Sequence, residues 1–426
     1  MSKSKNTRII DFPLNLDTAL ENHSLINKKN CKLLNTCSNN YPIVMVHGHM
    51  GWGSNELFGL NYWGGFFSLK DYLNRNDFTV FTPTIGPISS NWDRACELFA
   101  YLKGGIVDYG EAHSKKYGHA RYGRTYPGVY PELGSKSENG TIKKIHLIGH
   151  SMGGQTIRVL TQLLEKGNAD ELEVTPESNI SELFKGRNSW VSSITTLATP
   201  HDGTPLARET SKFIPFIQQF LASLGAITGV TDLIYNPYFD YSLDQWGLHK
   251  EHTESLKDYV DKVISSNLWN ETKDFSLWEL TPEGAKELNS WISLQDNVYY
   301  FSLACLNTHK DLLTKHQIHN ITMLPQLIPT SEFIGSFTSN NSNEVTITND
   351  WWPNDGLVSV ISAQGPHQGS RDTIINFNKI PQKGAWNYLG TKQRTDHSDI
   401  VSLYKFHPEL KHEYLKLAEM LASLPN

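Results

Sequence analysis

Short apolar runs, separated by polar and glycine-rich segments, recur along the chain and predict buried strands. The first is residues 42–46, PIVMV, which stands between two asparagines and a His-Gly pair. Further strands are predicted at residues 79–82, 145–148, 193–197, 298–303, 357–362 and 373–377. Residues 156–165 carry apolar side chains on one helical face, and a closing helix is predicted at 408–424. This alternation predicts an α/β fold with a mostly parallel central sheet flanked by helices.

Two segments depart from this pattern. Residues 1–40 are rich in Asn, Lys and Ser and are typical of a leader or surface arm, so the predicted domain is 41–426. Residues 86–140 crowd glycine, aromatic residues and histidine together without a clear period, which indicates an insertion.

The N-terminus shows no apolar segment followed by a signal-peptide cleavage site. The uncharged stretch 213–230 contains Pro215 and is short for a bilayer, so no transmembrane segment is expected.

Composition narrows the function classes. The 426 residues are 38% hydrophobic, enough for a large core. Lys and Arg number 38 against 44 Asp and Glu, a net charge of −6 without a basic block, which argues against a nucleic-acid surface. No C-x-x-C pair occurs, so neither a zinc ribbon nor a disulfide scaffold is predicted. The scattered cysteines are Cys31, Cys37, Cys96 and Cys305.

The motif GHSMGG at residues 149–154 carries the chemistry. It follows a predicted strand directly and opens a predicted helix, which is the context of a nucleophile elbow. Small residues at Gly149 and Gly153 let such a turn pass close to its neighbours and expose Ser151 as the nucleophile. The alternative is an ordinary glycine-rich turn between strand and helix.

A serine nucleophile requires a base and an acid that orients it, in the chain order Ser, acid, His. Asp355 precedes a predicted late strand and suits the acid, and His397 precedes the last helix and suits the base. His367 and His407 are rivals that position alone does not exclude.

A second oxyanion donor is expected in the glycine-rich turn after the first strand, residues 47–53. The backbone N–H groups of His49 and Met152 are the predicted donors. Alternatively, His47 and His49 are turn residues whose side chains pack nearby.

At this point the chain resembles a known family, the bacterial true lipases of the thermophilic-bacillus and staphylococcal branches. The matching segments include VHGHMGWG, GGIVDYGEAHSKKYGHARYGRTYPG, HLIGHSMGGQTIR, SITTLATPHDGT and WPNDGLV, in one order from about residue 41. The resemblance implies an α/β-hydrolase fold and a triacylglycerol lipase that acts on long-chain glycerides. It places the triad on Ser151, Asp355 and His397, and the oxyanion donors on His49 and Met152.

The resemblance also implies a structural zinc site. By position its ligands are Asp93, His113, His119 and Asp244. Two imidazoles and two carboxylates form a closed tetrahedral set, which is typical of structural zinc. Read without the resemblance, these four residues are polar loop residues that no local spacing connects.

A calcium site is implied as well, with a carboxylate two residues after the catalytic His and an Asp seven residues after it. Asp399 meets the first requirement, but the second position is Tyr404, and a lysine follows. A phenol and an ammonium are poor replacements for hard oxygen ligands, so we expect a lost or much weakened calcium site.

The segment at about 203–240 corresponds to a helical lid, although its apolar face also fits a buried core helix. That face consists of Phe213, Ile214, Phe216, Ile217, Phe220, Leu221 and Leu224.

The expected partner is a lipid substrate at an oil–water or membrane interface, and no protein partner is evident. Alternatives are a phospholipase A1 or thioesterase with the same triad, or a non-catalytic lipid-binding protein. The resemblance implies secretion, which the N-terminus does not indicate.

Overall fold

A seven-stranded sheet in which neighbouring strands run parallel forms the centre of the computed structural model. The structure describes residues 38–53, 59–209, 240–251, 254–266, 268, 272–405 and 407–426. In chain order the sheet strands are β1 Ile43–Val46, β2 Val80–Phe81, β5 Ile145–His150, β6 Val191–Leu197, β7 Tyr299–Leu306, β10 Ile374–Asn376 and β11 Trp386–Gln393. Their spatial order is β10-β11-β7-β6-β5-β1-β2, so β5 lies near the middle. The prediction of a mostly parallel sheet is therefore confirmed.

Two antiparallel pairs lie outside this sheet. They are β3 Gly105–Asp108 with β4 Tyr122–Tyr126, and β8 Thr308–Lys310 with β9 Gln317–His319. The helices of the described residues are α1 Leu69–Arg75, α2 Asn91–Lys103, α3 Glu111–Tyr117, α4 Met152–Lys166, α5 Ala169–Val174, α6 Glu182–Lys185, α7 Pro205–Arg208, α8 Leu256–Ser265, α9 Ser276–Glu279, α10 Pro282–Trp291, α11 Ile328–Ile334, α12 Val360–Gln364 and α13 Pro408–Ser423. Among these residues, no helix has both the length and the apolar character needed to cross a bilayer.

Side chains of the sheet alternate between two apolar cores because successive strand residues point to opposite faces. In β1, Ile43 and Met45 belong to one core, and Val44 and Val46 belong to the other. The apolar faces of α1 and α13 pack into the first core, and those of α2 and α4 pack into the second. Helices therefore cover both faces of the sheet, as the sequence predicts.

Two elements differ from the prediction. Residues 357–362, expected to be a strand, instead form a turn that leads into α12. The N–H of Val360 donates to the carbonyl of Pro353, a local bond that closes the turn instead of extending a strand. The strand β11 was not predicted, although it lies between β7 and β10 and ends just before the loop that carries His397.

The stretch 86–140 has more regular structure than its sequence pattern suggests. Helix α2 begins where the Ser90 side chain accepts the N–H of Asp93, and it ends at Gly104. The pair β3–β4 and helix α3 follow. Of the predicted arm 1–40, only residues 38–40 are described, and there the buried Asn39 side chain donates to the carbonyls of Leu421 and Leu424. Most of the predicted lid, residues 210–239, lies outside the described residues.

Candidate active site and metal cluster

Ser151 lies at a sharp turn between β5 and α4. Its backbone φ of 55° is in the left-handed region, which non-glycine residues rarely adopt. A Cβ at Gly153 would lie 2.3 Å from the carbonyl oxygen of Val46, so only glycine fits there. The turn therefore has the tight geometry expected of a nucleophile elbow.

The turn after β1 packs directly against this serine. A Cβ at Gly48 would lie 2.7 Å from the Cβ of Ser151. The N–H of Met50 donates to the carbonyl of Pro87 and fixes the far side of the turn. His49 lines the same cavity as Ser151, and Met152 follows Ser151 as the first residue of α4.

Arg94 stabilises this turn through hydrogen bonds, a role that the sequence did not predict. Its guanidinium is fully buried and donates to the carbonyls of His47 and Gly86 and to the hydroxyl of Thr156. Burial lowers the pKa of Arg94 to about 10, which still leaves it charged at neutral pH. The sequence of α2 does not indicate that Arg94 is buried, because an arginine in an amphipathic helix normally faces solvent.

Asp355 and His397 form a hydrogen-bonded pair. The distance from His397 Nδ1 to Asp355 Oδ2 is 2.9 Å, and the His397 backbone N–H also donates to the Asp355 carbonyl. The other carboxylate oxygen of Asp355 accepts the N–H groups of Leu357 and Val358. Because an ionised carboxylate only accepts, Nδ1 of His397 carries the proton and Nε2 is left as a base.

The two rival histidines have other partners. His367 Nδ1 lies 3.1 Å from the carboxylate of Asp202, and His407 contacts Asp399 and Glu409. Ser151 and His397 line one cavity, to which neither His367 nor His407 contributes. The geometry therefore brings together the serine, acid and histidine that the sequence predicts.

The wall of this cavity is mainly apolar, which suits a hydrocarbon chain. It is contributed by loops at the carboxyl ends of the strands and by segments after β9. Its apolar members are Met50, Leu206, Leu280, Leu324, Leu327, Leu357, Val358, Val401 and Leu403.

His150 and Tyr62 connect the parts of the site. The Gly48 N–H donates to the hydroxyl oxygen of Tyr62, which lies 2.6 Å from His150 Nδ1. On the other side of the ring, His150 Nε2 lies 2.9 Å from the carbonyl oxygen of His397. Burial, with a further effect of His397, lowers the pKa of His150 far below its usual value, so the ring is neutral.

A second cluster lies apart from the cavity. The side chains of Asp93, His113, His119 and Asp274 each offer a ligand atom, and these atoms lie within 4.8 Å of one another. His113 Nε2 is 3.3 Å from Asp93 and 3.1 Å from Asp274, and His119 Nε2 is 3.3 Å from Asp274. All four side chains are at least nine-tenths buried. The arrangement is compatible with a structural metal.

Surrounding groups orient these ligands, as is usual around a metal site. Nδ1 of His119 donates to the Ala120 carbonyl, which leaves Nε2 facing the carboxylates. Gln245 donates to the second oxygen of Asp93. Burial alone lowers the pKa of His113, but the carboxylates of Asp274 and Asp93 raise it to about 9. The cluster therefore attracts positive charge.

The structure corrects one predicted ligand. Asp244 does not lie in the cluster, because its carboxylate pairs with Arg124 at 2.5 Å. Asp274 takes the fourth position instead. The segment around Asp244 reaches the cluster through its neighbours, because Gln245 donates to Asp93 and the Trp246 ring packs against His119. No local spacing in the sequence distinguishes Asp274 from other acidic residues, so only the folded chain reveals it.

The region where the resemblance implies a calcium site contains a lysine. The Lys405 ammonium lies 3.6 Å from the carboxylates of both Asp396 and Asp399 and donates to the Thr322 carbonyl at 2.6 Å. His407 lies 3.0 Å from Asp399. Tyr404 lines the cavity. Positive charge beside the two carboxylates is therefore already supplied by the chain.

The fold and the arrangement of the site define a protein of the α/β-hydrolase class. The model of the family "Lipase-like, C-terminal domain" matches residues 39–423. Lipase 1 of Staphylococcus aureus is 41% identical over 369 residues, which are 85% of this chain and 51% of that protein. The chain therefore belongs to this lipase-like family, and the predicted resemblance is confirmed. It spans about half the length of that staphylococcal relative.

Solved structures agree with this assignment. EstA from Clostridium botulinum superposes with a TM-score of 0.85 at 42% identity, covering 96% of this chain and 98% of EstA. Lipase 1 from Pelosinus fermentans superposes with a TM-score of 0.83 at 47% identity, covering 91% of this chain and all of that one (100%).

Proposed function

We propose that this protein is a serine carboxylester hydrolase that cleaves acyl esters of glycerolipids, a triacylglycerol lipase. The observation that carries the proposal is the convergence of a strained serine turn and an Asp–His pair on one apolar cavity. Membership of the lipase-like family supports the same conclusion.

In the proposed reaction, Ser151 Oγ attacks the ester carbonyl carbon while His397 Nε2 accepts its proton. Asp355 holds the imidazole in the required tautomer and stabilises its positive charge. Backbone N–H groups of His49 and Met152 donate to the oxyanion, as in other sites of this type. His397 then protonates the departing glycerol oxygen, and water, activated by the same imidazole, hydrolyses the acyl-enzyme.

The test is hydrolysis of p-nitrophenyl esters from C2 to C16, emulsified triglyceride, phosphatidylcholine and a long-chain acyl thioester. We expect long-chain esters and triglyceride to be preferred, with rates that rise above the solubility limit of the substrate. Ser151→Ala should lower turnover more than about 100-fold because the nucleophile is lost. His367→Ala is the matched control and should retain activity, since His367 lies outside the cavity.

The outcomes separate the alternatives. Preference for phosphatidylcholine would indicate a phospholipase A1, and activity on thioesters alone would indicate a thioesterase. Retention of more than about one hundredth of the activity in folded Ser151→Ala would contradict the assignment of the nucleophile.

We infer that the cluster of Asp93, His113, His119 and Asp274 holds structural zinc. Two imidazole nitrogens and two carboxylate oxygens are a donor set that zinc accepts, and four protein ligands leave no open position. When bound, the ion would connect α2, α3 and the segment before α9, with no part in ester hydrolysis.

We also infer that activity is independent of calcium, because Lys405 supplies the charge beside Asp396 and Asp399.

A further inference from the structure

The β8–β9 hairpin and the two residues after it contain three large apolar side chains that are almost completely exposed. Leu312 is 82% exposed, Leu313 is 91% exposed and Ile321 is fully exposed at 101%. Most apolar side chains of the described residues lie in the cores, so such exposure within ten residues is unusual.

The exposed tip is an ordered structure. The carboxylate of Asp311 accepts the N–H groups of Leu313 and Thr314 and the Thr314 hydroxyl. The Lys315 N–H donates to the Asp311 carbonyl, and Lys315 Nζ donates to the carbonyl of Leu312. Where the tip loop joins β9, the His316 ring packs edge-on against Trp352 at 4.9 Å. The two leucines are therefore held outward by a framework to which their side chains contribute nothing.

The base of the hairpin lies beside the active-site cavity. It follows the carboxyl end of β7, and the Asn307 N–H donates to the carbonyl of Asn354, the neighbour of Asp355. Ile321 is separated by three residue steps from Leu324, which lines the cavity. An extended chain covers at most about 3.6 Å per residue, so their Cα atoms are within about 11 Å.

A second segment places an exposed aromatic ring by the same cavity. Phe66 is 77% exposed. It follows Gly65, where a Cβ would lie 2.8 Å from the carbonyl oxygen of Leu403, a cavity-lining residue. Apolar side chains from two separate segments therefore lie near the cavity.

The polar groups around the tip favour a lipid surface over a second protein. Residues 308–321 contain Lys310 and Lys315 against the single acid Asp311, a local charge of +1, together with three histidines. Asp311 is occupied by the turn itself. Lysines beside exposed leucines suit a surface with apolar chains below and anionic head groups above.

We propose that the β8–β9 hairpin is an interfacial anchor that inserts Leu312, Leu313 and Ile321 into a lipid–water surface and so holds the cavity against its substrate. This inference rests on the proposed function, since only a lipid substrate gives the anchor its purpose. It adds a binding element formed by residues that are distant in sequence from the segment predicted as a lid.

The test compares Leu312→Ser/Leu313→Ser with Leu172→Ser. Leu172 is 49% exposed and lies in α5, on the connection from the carboxyl end of α4 to the amino end of β6. Binding is measured by sedimentation with vesicles of phosphatidylcholine and phosphatidylglycerol, and activity is measured on emulsified triglyceride and on soluble p-nitrophenyl butyrate. All proteins are checked for melting temperature and for molecular mass in solution.

We expect vesicle partitioning and the rate of triglyceride hydrolysis to fall at least about 10-fold in the double variant. The reason is that moving two exposed leucine side chains from water into the lipid contributes strongly to binding. The double variant's kcat/KM on p-nitrophenyl butyrate should stay within about twofold of wild type, and Leu172→Ser should match wild type throughout.

Unchanged vesicle binding in the double variant would overturn the anchor. So would an equal loss on the soluble ester, which would indicate a damaged active site, or a change from dimer to monomer without loss of vesicle binding. If the protein hydrolysed no ester at all, the proposed function would fail while the vesicle experiment still reported on the anchor.

Discussion

At the scale of single residues, the directions of the hydrogen bonds around His150 are fixed. The His397 carbonyl can only accept, so Nε2 of the neutral His150 ring carries the proton and donates to it. Nδ1 of His150 then accepts from the Tyr62 hydroxyl, whose oxygen accepts the Gly48 N–H. One neutral tautomer therefore connects the oxyanion turn, the nucleophile turn and the loop of the base. We interpret Tyr62 as a positioning residue.

Tyr62→Phe removes the hydroxyl and leaves the Gly48 N–H and His150 Nδ1 without this partner. We expect kcat on a soluble ester to fall about 10- to 100-fold with little change in KM, because a misplaced oxyanion turn affects the transition state more than the substrate. Stability should fall by about 1–3 kcal/mol. Tyr126→Phe is the control, because it loses one hydrogen bond to the Thr84 carbonyl and neither residue lines the cavity. A destabilised Tyr62→Phe with unchanged kcat would show that the network is purely structural.

The candidate site was predictable at the residues whose signal is local. Ser151 follows from a motif between a strand and a helix, because the backbone geometry of that turn dictates its glycines. His397 did not follow from position alone, since His367 and His407 occupy similar places in the chain. Asp274 was missed altogether, because a metal cluster joins residues that are distant in sequence and carries no periodicity.

At the scale of elements, predictions succeeded where burial alone selects the residues. Strands β1, β5 and β6 consist of buried side chains, and their bounds were found to within a few residues. Helix α2 was not predicted, because its buried face includes the polar side chains of Asn91, Arg94 and Glu97, which take part in hydrogen-bond networks.

Strand β11 was not predicted for a related reason. Its sequence, WNYLGTKQ, mixes apolar and polar residues and ends in an exposed residue. Asn387 is nevertheless fully buried, because its side chain donates to the carbonyls of Tyr300 and Gln382. Such a strand is recognised only when its neighbours in the sheet are known.

At the scale of the whole molecule, the metal cluster joins segments that are far apart in the sequence. Asp93 comes from α2, His113 from α3 and Asp274 from the segment before α9. A bound ion would therefore stabilise the tertiary arrangement of the 86–140 region against the sheet.

Removal of the metal provides the test. A strong zinc chelator should lower the melting temperature by at least about 5 °C, whereas a calcium-selective chelator should change neither stability nor activity. Asp274→Asn should lose zinc in elemental analysis, while the matched variant Asp244→Asn should retain one zinc per chain. The reverse result, zinc lost from Asp244→Asn and kept by Asp274→Asn, would contradict the corrected ligand set.

We propose Ser151 as the nucleophile, activated by His397 and Asp355. The most direct measurement is covalent trapping with a fluorophosphonate, followed by peptide mass spectrometry and repeated on His397→Gln. We expect one adduct per chain on Ser151 and a labelling rate at least about 100-fold lower in His397→Gln. No adduct, an adduct on another residue, or labelling that does not depend on His397 would rule out this catalytic triad.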